Sequence, residues 1–237
     1  MTGEGPWRAA LLADVAHGFF GVAHGSEGTD EASTRAGAAR CAEMVAPGAR
    51  LAWVRQVHGR DVAIVDAGWD GAALPPEADA MVSATPGTAL AIRTADCTPV
   101  LLSDAAAGVI GAAHAGWRGA LAGVTDATIE AMCALGARRD HIVAAIGPTI
   151  ARAAYEVDAP LFEAFVRDHP PSEAFFTDSR TPGRWYFDLP AWVAMRLALA
   201  GVRRVEDLGL DTFADPRLHS HRRDGARAGR NWSVVAI

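Results

Sequence analysis

The sequence predicts a mixed α/β fold of the α+β type: a mixed β-sheet core flanked by helices, in a single domain over residues 1–237. Three observations carry this. Short apolar runs bounded by turn residues recur through the middle of the chain, the pattern of strands buried on both faces. Stretches long enough for helices precede and follow them. Their order is mixed, whereas a purely parallel βα repeat would alternate strictly. Half of the 237 residues are apolar, enough to bury a full core in a chain of this length.

In order, residues 29–45 are rich in Ala, Arg and Glu and read as a helix stopped by Pro47-Gly48. Residues 51–57 read as a strand running directly into His58, and 62–65 as another; 68–76 is a loop by its glycine and proline content. Buried strands follow at 80–84, 90–93, 99–103 and 109–114, the last two joined by a tight connection from Asp104 to Gly108. A helix is predicted over 116–135, with Leu121, Val124, Thr128 and Met132 on one face and Gly136 as its stop. Then come a strand over 141–146 and helices over 160–166 and 189–199. Asp188 serves as N-cap of the last, with Pro190 in its first turn. Strands over 204–210 and 232–237 close the chain.

A net charge of −6 and a pI near 5.7 exclude a general nucleic-acid binder, which needs a basic surface. Cys41, Cys97 and Cys133 are odd in number and lack close spacing, which fits free thiols in a reducing cytoplasm. Residues 1–20 lack the apolar centre of a signal peptide, and no apolar run approaches the roughly 20 residues of a membrane span. The expectation is a soluble cytoplasmic protein without a nucleic-acid or membrane partner, a monomer or small homo-oligomer.

Cys97 carries the most chemical information. It stands in Arg93-Thr94-Ala95-Asp96-Cys97-Thr98, between Gln56-Val57-His58-Gly59 and Ala113-His114-Ala115-Gly116-Trp117-Arg118-Gly119. A thiolate and two imidazoles form a borderline-soft ligand set suited to zinc or copper, and three ligands leave a position open for chemistry. A free cysteine is by default a buried thiol, but polar Asp96 and Thr98 on either side are costly in a dry core. Cys41 and Cys133, with apolar company on helices, are assigned to packing, and His17, His24, His141 and His169 to surface or capping positions. Two roles are open to Asp96: a carboxylate that orients a ligating imidazole or handles protons, or a plain ion pair with Arg93. Gly116 to Gly119 at a helix start, with Arg118, form either an anion site or a close packing contact. The run from His219 to Arg230 is either a solvated tail or a wall that supplies anion-binding arginines.

Several segments together resemble the YfiH family, also called the laccase-domain or multicopper polyphenol oxidase family. They are Gln56-Val-His-Gly, Asp79-Ala-Met-Val-Ser, Arg93-Thr-Ala-Asp-Cys-Thr-Pro-Val-Leu-Leu, Ala113-His-Ala-Gly-Trp-Arg-Gly, Gly147-Pro-Thr-Ile, Tyr155-Glu-Val, Phe187-Asp-Leu-Pro and His221-Arg-Arg-Asp-Gly. The resemblance implies a single-domain mixed α/β fold with zinc on His58, Cys97 and His114. It implies phosphorolysis of adenosine, inosine, guanosine and methylthioadenosine, with adenosine deamination as a further activity, so purine nucleoside and phosphate are the expected partners. Cys97, His114, Asp96 and Arg118 are then the candidate catalytic residues, and Arg93, Gly116, Trp117, Arg118 and Arg222 the candidates for substrate or anion binding. The alternatives are a copper-dependent polyphenol oxidase, which lacks an evident axial methionine here, and an amidase with Cys97 as nucleophile acting on peptidoglycan precursors. Two departures stand out. The family's arginine-containing run after His-Gly-Phe is replaced by Gly21-Val22-Ala23-His24-Gly25-Ser26, and its cysteine before Tyr-Glu-Val is replaced by Ala153-Ala154.

Overall fold

The strand Thr98–Asp104 shows why the core takes layers: Leu101 packs on one side of its sheet, while Val100 and Leu102 pack on the other. Side chains alternate along a strand, so a run apolar at every position must be covered on both faces. The computed structural model of the chain describes residues 5–24, 30–70 and 75–237. In it Thr98–Asp104 is central to a six-stranded mixed sheet in the order Arg204–Asp207, Val143–Ile146, Thr98–Asp104, Val109–Ala115, Ala80–Ser83, Val62–Ile64. The four inner strands run antiparallel, and each edge strand pairs parallel to its neighbour.

A second sheet has four strands in the order Ala16–Phe20, Asn231–Ala236, Thr88–Thr94, Arg50–Ala52. Phe19, Leu90, Ile92 and Val235 of this sheet meet Met81, Leu101, Ile110 and Ala145 of the first. Its other face, with Phe20, Ala91, Trp232 and Val234, is covered by helix Glu31–Val45 through Ala38, Cys41 and Ala42. The outer face of the six-stranded sheet is covered by helices including Val124–Ala134 and Leu189–Leu199, which bring Ile129, Met132, Trp192 and Leu197. The layers therefore run helix, sheet, sheet, helices. A small sheet of Phe176–Asp178, Arg184–Phe187 and Glu156–Asp158 packs on this outer layer through Phe165, Phe176, Phe187 and Trp192.

The mixed fold agrees with expectation, with instructive differences in detail. The predicted helix start at Thr29 lies outside the described residues; the helix begins at Glu31, where Asp30 caps it by accepting from the Ser33 amide at 2.9 Å. Of the loop over 68–76, residues 71–74 lie outside the described residues as well. The strand expected over 51–57 ends at Ala52; beyond it only Arg55 keeps a bridge, to Glu77, and the backbone amides of Val57, His58 and Gly59 turn to a side-chain carboxylate. The helix expected over 116–135 is two helices, Trp117–Ala122 and Val124–Ala134, broken at Gly123 with φ of 87°. Left-handed backbone is open to glycine at little cost, and it ends a helix.

The strand Ala16–Phe20 had no alternating signal of its own; it exists through pairing with the far C-terminal strand. His17, expected at a surface or capping position, is buried within it, where its ring bonds the backbone of Val15 and Ala9. The basic run after His219 is no solvated tail: Ser220 caps a short helix, His221–Asp224, and Arg223 donates to the carbonyls of Thr212, Phe213, Asp215 and Leu218.

Gly147 shows how tightly the two sheets meet: a Cβ there would sit 2.2 Å from the ring of Phe19. Gly147→Ala should therefore lower stability by about 1–3 kcal/mol, the usual range for overpacking a dense core. Urea unfolding reads this directly, and an unchanged midpoint would contradict the packing described.

Candidate active site

Three chain segments converge at one end of the two sheets. His114 is the penultimate residue of strand Val109–Ala115. Cys97 lies in the connection between strands Thr88–Thr94 and Thr98–Asp104. His58 sits on the irregular segment after Ala52. Their potential ligand atoms all lie within 4.8 Å of one another, and the two imidazole rings meet edge to face with centroids 4.8 Å apart. The sequence reading of these three residues as one cluster therefore agrees with the geometry.

The residue that builds the cluster is Asp79, at the head of strand Ala80–Ser83 and fully buried. One carboxylate oxygen accepts from the His58 amide at 2.9 Å and from Nδ1–H of His114 at 2.7 Å; the other accepts from the Val57 and Gly59 amides at 3.1 and 2.6 Å. Burial opposes its ionisation, yet the bonds from His114 and the loop amides outweigh it and hold the acid below the usual carboxylate range. With Nδ1 bonded to Asp79, Nε2 is the nitrogen left to face Cys97, as a proton donor to the thiolate without metal and as the ligating atom when a metal displaces that proton.

Strain marks the same place. His58 and Asp96 have positive φ, 62° and 86°, a conformation that costs a non-glycine residue on the order of 1–2 kcal/mol. The Asp79 bonds secure the first. The second is held by Thr212 Oγ1 and the Arg222 amide, which donate to the Asp96 carboxylate at 2.7 and 2.6 Å. Asp96 thus bonds neither imidazole; that orienting role falls to Asp79, and Arg93 is not its ion-pair partner. Gly116 and Gly119 are needed for close approach to the His58 segment. A Cβ on Gly116 would stand 2.8 Å from the His58 ring and 3.0 Å from Cys97 Sγ, and one on Gly119 would stand 2.6 Å from the Gly59 carbonyl oxygen.

In the absence of metal, Cys97 and His114 polarise each other. Burial pushes the thiol up, but the adjacent His114 charge and bonds from both histidines bring it down to about 6. Burial pushes His114 down, and Cys97 and Asp79 raise it to about 9. This is a thiolate held between imidazoles, the state in which sulfur ligates a metal. The donor set and its orienting carboxylate fit zinc. Cys41 is the contrast, a core thiol that burial pushes up to about 12.

The cluster opens on a cavity of about 460 Å³ lined also by Arg93, Arg222, Arg230, Asp96 and Tyr155. Its lining carries three arginines against one carboxylate, in a chain with a net charge of −6. Among the described residues no carboxylate pairs with the side chain of Arg93, Arg222 or Arg230. Burial and the charge of Arg230 push the Arg93 pKa down, so these two guanidinium groups repel each other beside an open space. Gln56 pins the Arg93 backbone with a reciprocal pair of bonds, 2.8 and 2.9 Å. Gly116, Trp117 and Arg118 do not line the cavity. Arg118 is exposed, with its guanidinium 4.5 Å from the Trp117 ring centre. Asp79, Tyr155 and Gln56 were absent from the sequence-based site, and Arg230 entered it only within the alternative of an arginine wall. Asp79 had a visible signal, an acid opening an otherwise apolar buried strand.

Residues 11–237 match the family described as multi-copper polyphenol oxidoreductase laccase. The chain belongs to this family. Relatives bear a different name: a purine nucleoside phosphorylase of Streptomyces griseus is 42% identical over 88% of this chain and 85% of its own. One of Pseudomonas aeruginosa is 40% identical over 78% of this chain and 74% of its own. Among solved structures, a Neisseria meningitidis protein superposes with a TM-score of 0.82 at 30% identity, covering 98% of this chain and 97% of its own. YlmD of Geobacillus stearothermophilus gives 0.83 at 25% identity, over 100% and 97%. These neighbours carry the same mixed α/β fold.

Two outcomes test the centre. Asp79→Asn should weaken zinc binding about 10–100-fold, the usual cost of losing the group that orients a ligating histidine; competition with a chelator measures it, and an unchanged affinity would remove Asp79 from the centre. In chelator-treated protein at pH 7, iodoacetamide should label Cys97 and spare Cys41 until the chain is unfolded.

Proposed function

We propose that this chain is a zinc-dependent purine nucleoside phosphorylase, acting in the cytoplasm with residues 1–237 as one catalytic domain. One observation carries the reading: a zinc-type donor set and an arginine-lined wall face the same cavity, so a charge-stabilising centre and an anion site share one space. The names borne by the relatives support the reaction class.

In phosphorolysis the bond from C1′ of the ribose to N9 of the base breaks and leaves its electron pair on the base. An oxygen of hydrogenphosphate bonds to C1′. Arg93 and Arg230 are the groups to hold that anion: phosphate relieves their mutual repulsion and offers each guanidinium a bidentate partner. Held next to the sugar, phosphate attacks as an oriented neighbour rather than a solute. His58, Cys97 and His114 would hold zinc, which when bound supplies Lewis acidity to a polar atom of the substrate or water against it. Asp79 keeps the imidazoles in place and fixes the proton on His114. Adenosine deamination is proposed as a second activity of this centre.

Copper-dependent phenol oxidation fits less well. Among the described residues the His58, Cys97 and His114 cluster is the one group of His, Cys, Asp or Glu side chains suited to a metal, whereas a multicopper site needs several. A Cys97 nucleophile with a histidine base, attacking an amide, remains the metal-independent rival.

The test is release of hypoxanthine from inosine. It should require phosphate and fall to background in Cys97→Ala. Arg230→Met should raise the phosphate KM about 10–100-fold, the worth of a charged hydrogen bond, with little change in the inosine KM. Base release that persists without phosphate, or full activity in a folded Cys97→Ala variant, would overturn the proposal.

A further inference from the structure

The cavity contains one polar group that nothing so far employs. Tyr155 lines it, and among the described residues its hydroxyl has no hydrogen-bond partner. Its backbone is held from several sides, and its ring lies between Phe187 and Arg222. The Tyr155 carbonyl accepts from the Phe187 amide at 3.0 Å, and its amide donates to the Arg152 carbonyl at 3.1 Å. Its ring packs near Phe187, centroids 6.0 Å apart. Arg222 spans the residue: Nη1 donates to the carbonyls of Ala154 and Glu156, at 3.3 and 3.0 Å, and its guanidinium carbon stands 5.4 Å from the Tyr155 ring centre. The Arg222 amide in turn donates to Asp96, next to Cys97. Tyr155 is therefore tied through Arg222 to the connection that carries the thiolate.

A phenol fixed this firmly with an idle donor is ordered for a ligand, because an unmade hydrogen bond in a half-buried site costs free energy that a partner would return. Tyr155 and Cys97 line the same cavity, and Arg222, which brackets Tyr155, also bonds Asp96, the residue before Cys97. The phenol therefore shares its support with the connection that carries the thiolate. Burial first, then the negative charge of Cys97, push its pKa upward, so it stays a donor throughout the neutral range.

We propose that the Tyr155 hydroxyl donates a hydrogen bond to a ring nitrogen of the departing purine, and that Arg222 positions it. This rests on the phosphorolysis reading above. As the C1′–N9 bond breaks, its electron pair makes the base an anion, and the phenol bonds the nitrogen on which that charge collects. Tyr155 keeps its proton. The proton found on the free base is the one that hydrogenphosphate loses on becoming the sugar phosphate, so charge and atoms balance. A donor aimed at charge that appears only in the transition state raises kcat more than it lowers KM. Arg222, exposed and engaged with two carbonyls, acts on the reaction through Tyr155.

The experiment compares kcat for wild type, Tyr155→Phe, Arg222→Met and Arg222→Lys over a series of purine ribosides. Inosine, adenosine and 6-chloropurine riboside differ in how readily the base leaves as an anion, and zinc content is measured for each variant. Tyr155→Phe should keep its zinc and its KM within about threefold, and lose about 100-fold or more in kcat on inosine, the scale of a positioned donor. The loss should shrink as the base becomes a better leaving group. Arg222→Met should show the same dependence more weakly, and Arg222→Lys should recover part of it. An equal loss across the series would make Tyr155 structural, and no loss would remove it from the reaction; either overturns the proposal. If wild type releases no base with phosphate from any of the three, the phosphorylase reading fails first and takes this assignment with it.

Discussion

The carboxylate of Asp79 accepts four hydrogen bonds, three from consecutive amides of the segment carrying His58 and one from the ring of His114. Two oxygens have about four lone-pair sites between them, so the group is saturated and can be buried as an anion. This is the constraint on which the site depends. Without it the backbone at Val57 to Gly59 loses its partners, His58 has nothing to hold it at a positive φ, and the proton on His114 is free to sit on either nitrogen. One side chain at the head of a core strand thus ties a sheet to an irregular segment, and the His58 backbone to the His114 ring.

A second tie serves the other half of the cavity. Asp96, also at a positive φ, is held by Thr212 and by the Arg222 amide, and Arg222 brackets Tyr155 through the carbonyls on either side of it. The wall that follows Ser220 and the connection that carries Cys97 are therefore one assembly. The contrast between the two acids is informative. Asp79 faces three amides and the His114 imidazole and sets the proton of that ring; Asp96 faces backbone and hydroxyl donors and sets the shape of the chain. Arg93 and Arg230 are different again, a like-charged pair without a carboxylate, with Arg93 Nη1 donating to Thr34 Oγ1 and Arg230 Nη1 to the carbonyls of Ala228 and Gly229.

Much of this was legible in the sequence, for physical reasons that can be named. Strands such as Thr98–Asp104 and Val109–Ala115 are apolar on both faces, so they stand out without any tertiary information. The helix Leu189–Leu199 announces its start through Asp188 and Pro190. Cys97 and His114 were legible because polar and glycine neighbours frame them at strand ends. What was hidden depends on contacts far apart in sequence. Ala16–Phe20 becomes a strand by pairing with the C-terminus, and after Ala52 the chain keeps only an isolated bridge at Arg55 before Asp79 takes the amides of Val57, His58 and Gly59. Gly123 breaks a helical pattern whose apolar spacing continues across it. The orienting role was sought in Asp96, adjacent to Cys97 in sequence, when the side chain that reaches His114 comes from 35 positions earlier. The basic run that ends at Arg230 was legible only as tail or wall, and only the fold brings Arg230 to the cavity with Arg93 and turns Arg118 to Trp117.

The most direct measurement is X-ray absorption at the zinc edge on protein purified without added metal. A centre of His58, Cys97 and His114 with an open position gives one sulfur at about 2.3 Å and nitrogen or oxygen neighbours near 2.0–2.1 Å, with the sulfur shell gone in Cys97→Ala. Absence of a sulfur neighbour in the wild-type protein, or a spectrum unchanged by removing Cys97, would contradict the metal centre on which the proposed chemistry rests.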